Sequence, residues 1–107
     1  MRSRYSAYAL HKARYILDTT HPDGPHHRVD ADAWRREVLA FCKSTRFDGL
    51  DVESVEDGAG VGFVSFVARL SQDGRPAPLR ERSEFRRDTG RWLYYGADET
   101  SASVTQG

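Results

Sequence analysis

The chain has one cysteine, two lysines, no net charge and no long apolar run, and each scarcity narrows what it can be. A single Cys42 can neither close an internal disulfide nor build a thiolate zinc site. It sits in an apolar helical pattern, which predicts a small buried hydrophobe rather than a reactive thiol. Nowhere do about 18 apolar residues run together, so no transmembrane helix is expected. The amino terminus has arginines but not the apolar core of a signal peptide. A cytoplasmic, bacterial-type protein is therefore expected. Sixteen basic residues balance sixteen acidic ones, so no global field draws the chain to nucleic acid or to an anionic membrane. Lysine occurs only as Lys12 and Lys43. The arginine excess fits a GC-rich genome and is not read as a binding signal.

What is present is enough for one domain of 107 residues with a modest core. Residues 1 to about 18 contain no Gly or Pro and are rich in helix formers. A helical projection groups Tyr5, Ala9, Leu10, Ala13, Ile16 and Leu17 on one apolar face. It sends Ser3, Ala7, His11, Arg14 and Asp18 to water and sets Arg4, Tyr8 and Tyr15 on a border. Arg2 and Ser6 then point inward, and a buried charge needs a partner. The alternative is a frayed first turn with Arg2 in solvent. No capping residue precedes Met1, so the helix looks cut into rather than started, and an upstream segment is expected.

Thr19 to His27 is a breaker segment with two prolines and a glycine. His21, His26 and His27 lie in it without helical i, i+4 spacing or cysteine partners, so no metal and no cofactor are expected. His21 is either a bracket for the preceding helix or a pocket residue suited to acid/base work. Asp30 is an N-cap for a second helix to about Lys43, with Asp32 in its first turn. Trp34, Val38, Phe41 and Cys42 share one face of it.

The remainder reads as strands: 47–56, 61–72, 77–87 and 91–96, joined by the short turns 57–60, 73–76 and 88–90. The 61–72 strand is apolar on both faces, hence central. In the 77–87 strand, Leu79, Glu81, Ser83 and Phe85 share one face, and Arg80, Arg82, Glu84 and Arg86 share the other. A carboxylate and a hydroxyl between two apolar residues either line a pocket or satisfy a buried partner. Ala97 to Gly107 is small and polar and is expected to be a disordered tail beyond a single domain of residues 1–96. Two helices followed by four strands on short turns predict an α+β layer fold, with the helices covering a bent antiparallel sheet.

Arg2-Ser3-Arg4-Tyr5-Ser6-Ala7-Tyr8, His21-Pro22, Trp34, Phe63 to Ala68, Glu81-Arg82-Ser83-Glu84-Phe85 and Gly90-Arg91-Trp92-Leu93-Tyr94 together resemble the bacterial YchJ family across nearly the whole chain before the tail. The resemblance implies a cystatin-like, nuclear-transport-factor-two-like cone. It brings no reaction, because the family's biochemical role is uncharacterised. Family members often carry a cysteine-rich SEC-C zinc motif beside this block. No such motif occurs in this sequence, so zinc binding does not transfer. Members commonly have His at the position of Arg80 and Val-Asp-Gly near Gly96-Ala97-Asp98, so this chain departs from the family pattern at the rim.

Three functions follow. The first is a ligand- or partner-binding module, with a polar pocket at the cone mouth made of Arg2, Tyr5, Ser6, Tyr8, Glu81 and Ser83. Beside it stands a direct Arg2–Glu81 pair that merely ties helix to sheet. The second is a small-molecule isomerase or dehydratase using Glu81, with His21 or Tyr8, as acid/base. The third is assembly, with a homodimer through the sheet and a Trp92/Tyr94/Tyr95 edge as its contact. Nucleic acid is not an expected partner.

Overall fold

The computed structural model describes residues 1–98. Residues 99–107, most of the expected tail, lie outside the described part. Ala97 closes the last strand, and the Asp98 N–H donates to the Arg82 carbonyl at 2.7 Å.

Three helices precede the sheet: α1 (Arg2–Ala9), α2 (Ala13–Asp18) and α3 (Ala31–Ser44). The expected single helix over 1–18 is thus two. The break falls at Leu10–Lys12, where His11 adopts a left-handed backbone with φ 59°. No Gly or Pro marks the place, and His is one of the few side chains that tolerate this conformation. The break resets the helical phase. Arg4 and Ala7 become buried, at 6% and 4% exposure, while Arg2, Ser6, Ala9 and Leu10 face solvent. The expected inward aim of Arg2 and Ser6 is therefore corrected: a projection carried through residue 18 misassigns Arg2, Ser6, Ala7, Ala9 and Leu10, while its placement of Ser3 and Tyr5 holds. α3 starts where its cap predicts, the Asp30 carboxylate accepting the Ala33 N–H at 3.0 Å. It buries Trp34, Val38 and Cys42.

The sheet comprises β1 (Arg46–Asp57), β2 (Val61–Gln72), the two-residue β3 (Arg75–Pro76), β4 (Leu79–Asp88) and β5 (Arg91–Ala97). All pairings are antiparallel, in the order β1-β2-β4-β5, with β3 beside β2. The β4–β5 hairpin turns on Thr89 and Gly90, both with positive φ, which is the geometry a two-residue loop demands. Register shifts interrupt β1 between Phe47 and Gly49 and between Val52 and Ser54. Such bulges bend a strand and increase its twist.

β5 is an edge strand, and the breaker segment covers it. The His21 N–H donates to the Tyr94 carbonyl, and the Tyr94 N–H donates to the Thr19 carbonyl, each at 2.8 Å. Residues 19–21 thus run as a short parallel rider on the sheet, and Gly24 follows with its backbone against the Tyr95 carbonyl.

The apolar interior is in two parts. One cluster joins Ala7, Ala13, Ile16, Trp34, Val38 and Cys42 of the helices. The other joins Phe66, Ala68 and Leu70 of β2. Helices and sheet meet along the seam only partly, and a cavity lies between them.

Candidate functional site

The cavity has a volume of about 410 Å³ and takes its walls from both layers. Ile16, Trp34, Val38, Phe66, Ala68 and Leu70 supply apolar surface from both clusters. An aromatic wall runs along one side. Tyr8 packs edge-on against Phe41 at 5.7 Å and stacks on Phe47 at 6.3 Å, and Tyr5 meets Phe47 edge-on at 5.8 Å. At the mouth the Arg28 guanidinium pairs with Glu37 at 3.1 Å, both side chains more than half exposed.

Three polar residues meet at the deep end: Arg4, Tyr94 and Glu81. Their placement follows from the chain. Arg4 is inward because the break at His11 sets the phase of α1. Glu81 is inward because it alternates with Arg80 and Arg82 along β4. Tyr94 is inward because the two-residue loop pairs Asp88 with Arg91, and hence Phe85 with Tyr94, so Tyr94 shares the Phe85 face.

The Tyr94 hydroxyl donates to Glu81 Oε2 at 3.0 Å. The Ser83 hydroxyl, fully buried beneath, donates to the same oxygen at 2.5 Å. Arg4 lies over the Tyr94 ring, 4.6 Å from its centre. Its Nη1 donates to the Thr19 hydroxyl at 2.7 Å, to the Thr20 hydroxyl at 3.3 Å and to the Ile16 carbonyl at 3.2 Å. Among the described residues no carboxylate lies within ion-pair distance of Arg4 or is paired to it. Burial pushes the Arg4 guanidinium below its ordinary pKa, with Tyr8 and Tyr94 opposing the shift. Burial pushes the Tyr94 phenol far above its ordinary range, and the Glu81 charge adds to this. Tyr8 is raised for the first of these reasons, against the neighbouring Arg4 charge. Both phenols are therefore neutral across the physiological range, and Tyr94 acts as the donor to Glu81.

Of the residues expected at the site, Tyr5, Tyr8 and Glu81 line the cavity. Ser83 lies under it and holds Glu81. Arg2 and Ser6 are on the outer surface of α1, so no Arg2–Glu81 pair forms. His21 stands apart: its ring packs on Tyr95, and its Nδ1 accepts the Asp23 N–H at 3.0 Å. His26 packs on Tyr94 and His27 on Trp34, so the three histidines serve three different rings. The expected aromatic edge also divides. Tyr94 turns into the cavity, while Tyr95 lies under Arg86 and Trp92 under Arg87 on other surfaces.

The sequence reading missed Arg4 and Tyr94. Arg4 was hidden by the unmarked break at His11. Tyr94 was findable by counting back from the two-residue loop to its partner Phe85.

Residues 1–97 of the chain match a family model described as the YchJ middle NTF2-like domain. The chain belongs to the YchJ family. A SEC-C motif containing protein of Rhodopseudomonas palustris is 33% identical, with a TM-score of 0.78, covering 92% of this chain and 73% of its own. A SEC-C motif containing protein of Psychrobacter arcticus is 26% identical with a TM-score of 0.66, over 94% of this chain and 58% of its own length. A multiply substituted protein that carries NTF2 in its name is 15% identical with a TM-score of 0.65, covering 87% of this chain and 86% of its own, and shares the fold. The YchJ domain is thus an NTF2-like α+β fold with an open sheet, and among the described residues no helix is long and apolar enough to cross a membrane.

Proposed function

We propose that this YchJ domain is a non-catalytic binding module for a small organic molecule held between the helices and the sheet. The observation that carries this reading is the divided core. Apolar residues of the two layers face a shared cavity of about 410 Å³ instead of one another. Packed interiors leave few voids larger than a water molecule, and apolar walls with a few convergent polar groups are the usual make-up of a ligand site. Catalysis by Glu81 has less support. His21, one of its expected acid/base partners, lies elsewhere, packed on Tyr95. A cytoplasmic setting accords with the lone, buried Cys42. A homodimer through the outer sheet face would involve Tyr95 but not the inward Tyr94, nor Trp92, which alternates onto the Tyr94 side of the sheet.

A thermal-shift screen of metabolites tests the reading, run on the wild type and on Glu81→Ala. The expected result is a compound that raises the midpoint of the wild type and raises that of Glu81→Ala less. A screen in which no compound shifts the wild type counts against binding. A hit insensitive to Glu81 places the ligand elsewhere.

A further inference from the structure

Each charged group at the deep end of the cavity has hydrogen-bonding capacity left over. Glu81 receives both of its hydrogen bonds on Oε2, leaving Oε1 without a protein partner among the described residues. Arg4 bonds Thr19, Thr20 and Ile16 through Nη1, and its guanidinium also interacts with the Tyr8 phenol. No buried side-chain nitrogen or oxygen of the described residues lacks a partner. Glu81 Oε1, and the Arg4 N–H groups that Tyr8 and the Nη1 partners leave over, therefore keep access to the cavity that both residues line. The Tyr94 ring holds the two charges apart, accepting Arg4 on its face and bonding Glu81 through its hydroxyl. The other charged pair at the cavity, Arg28 and Glu37, is satisfied internally at the mouth.

Such a site discriminates by charge pattern. An anion drawn to Arg4 must also face Glu81. A cation drawn to Glu81 must also face Arg4. Either way one buried charge stays unpaired, and an unpaired buried charge is costly. A molecule with both charges, placed a short distance apart, satisfies both residues together. The rest of that molecule must be apolar, since it meets Tyr5, Tyr8, Phe41 and Phe47 on one side and Phe66 and Leu70 on another.

We propose that the cavity takes a compact zwitterion with an apolar body, of the α-amino-acid class, its carboxylate on Arg4 and its ammonium on Glu81 Oε1. This rests on the binding reading above and narrows it to one ligand chemistry. Tyr94 is then a positioning residue: it orients Glu81 and spaces the two charges.

Calorimetric titration of the whole chain with four probes tests it. The probes are L-phenylalanine, L-leucine, N-acetyl-L-phenylalanine, which keeps only the negative charge, and L-phenylalaninamide, which keeps only the positive one. At least one amino acid should bind saturably, and both single-charge analogues of phenylalanine should bind at least about tenfold more weakly, as expected for loss of one charge-assisted hydrogen bond. In Glu81→Gln the preference should shift toward the N-acetyl compound, because the repelling carboxylate is gone. Equal or tighter binding of either single-charge analogue overturns the proposal, as does the absence of saturable amino-acid binding. Should the metabolite screen yield a Glu81-dependent ligand with no charge pair, this inference fails and the binding reading stands. If nothing binds in either experiment, both fail. The analogue series varies the ligand alone, so the test holds even if substitution of Arg4 prevents folding.

Discussion

Arg4 lies 4.6 Å from the centre of the Tyr94 ring, and through that ring it stands one phenol away from Glu81 without touching it. The contact ties the first helix to the last strand. It also turns what the sequence suggests as a direct helix-to-sheet ion pair into an open arrangement of two separated charges.

Arg4→Met should destabilise the fold by about 1–3 kcal/mol, since it removes the hydrogen bonds to Thr19, Thr20 and Ile16 and the contact with Tyr94. Arg2→Ala should stay within about 0.5 kcal/mol, as expected for an exposed side chain. Urea unfolding of the two variants checks the phase of α1. Equal effects, or a larger one at Arg2, would return the helix to the phase that the uninterrupted projection gives.

Tyr94 makes stability depend on alkaline pH. Its phenol is raised above the ordinary value of 10.0, first by burial and then by Glu81. The folded state therefore holds the proton after the unfolded chain has released it. The stability so contributed is complete below about pH 10 and falls as pH rises beyond it. Tyr94→Phe should lose about 1–2 kcal/mol at neutral pH through the missing hydrogen bond to Glu81, and should decline less steeply above pH 10. Parallel denaturation series at pH 7 and above pH 10 provide the measurement. Identical slopes would remove Tyr94 from the explanation.

Gly24→Ala should loosen the segment that rides on β5. An added Cβ would strike the Tyr95 carbonyl, a backbone atom with no freedom to swing aside, and would crowd the His21 carbonyl at 3.3 Å. Amide hydrogen exchange at His21 and Tyr94 should accelerate, because those two N–H groups make the backbone bridge. Unchanged protection at both amides would mean that the segment holds without the Gly24 contact.

Asp30→Ala should cost about 1 kcal/mol by leaving the Ala33 N–H without its cap. Asp30→Ser should recover most of the loss, because a hydroxyl accepts the same bond. Thermal unfolding of the pair distinguishes capping from a general charge effect, which serine would not restore.

Much of the sheet was legible because its signals are local. The period of two along β4 places Glu81, Ser83 and Phe85 inward, and the structure buries Ser83 and Phe85 as that pattern requires. Thr89-Gly90 marks the hairpin, and β2, apolar on both faces, is internal in the sheet order. The family resemblance pointed to the NTF2-like cone, and the family model and the structural neighbours share that fold. The site was legible on the sheet side and illegible on the helix side. A single residue with positive φ, His11, separates α1 from α2, and nothing in Leu10-His11-Lys12 announces it. Once the phase is lost, Arg2 takes the place of Arg4 and Ser6 that of Ala7. Tyr94 was missed for another reason: three aromatics in four residues look like one patch, whereas alternation and the loop register send Tyr94 and Tyr95 to opposite faces.

The rider of residues 19–21 on β5 bears on how the molecule behaves among its own copies. A sheet with a bare edge is a template onto which a second chain can add a strand. Here the rider occupies the backbone groups of Tyr94 that such a strand would need. The opposite edge, β1, is interrupted by two register shifts and ends in Glu53, Glu56 and Asp57. Among the described residues neither edge presents a long, flat, uncharged ladder. The loop that frames the cavity thus also guards the domain against edge-to-edge aggregation, and a substitution that frees it should lower solubility as well as reshape the cavity.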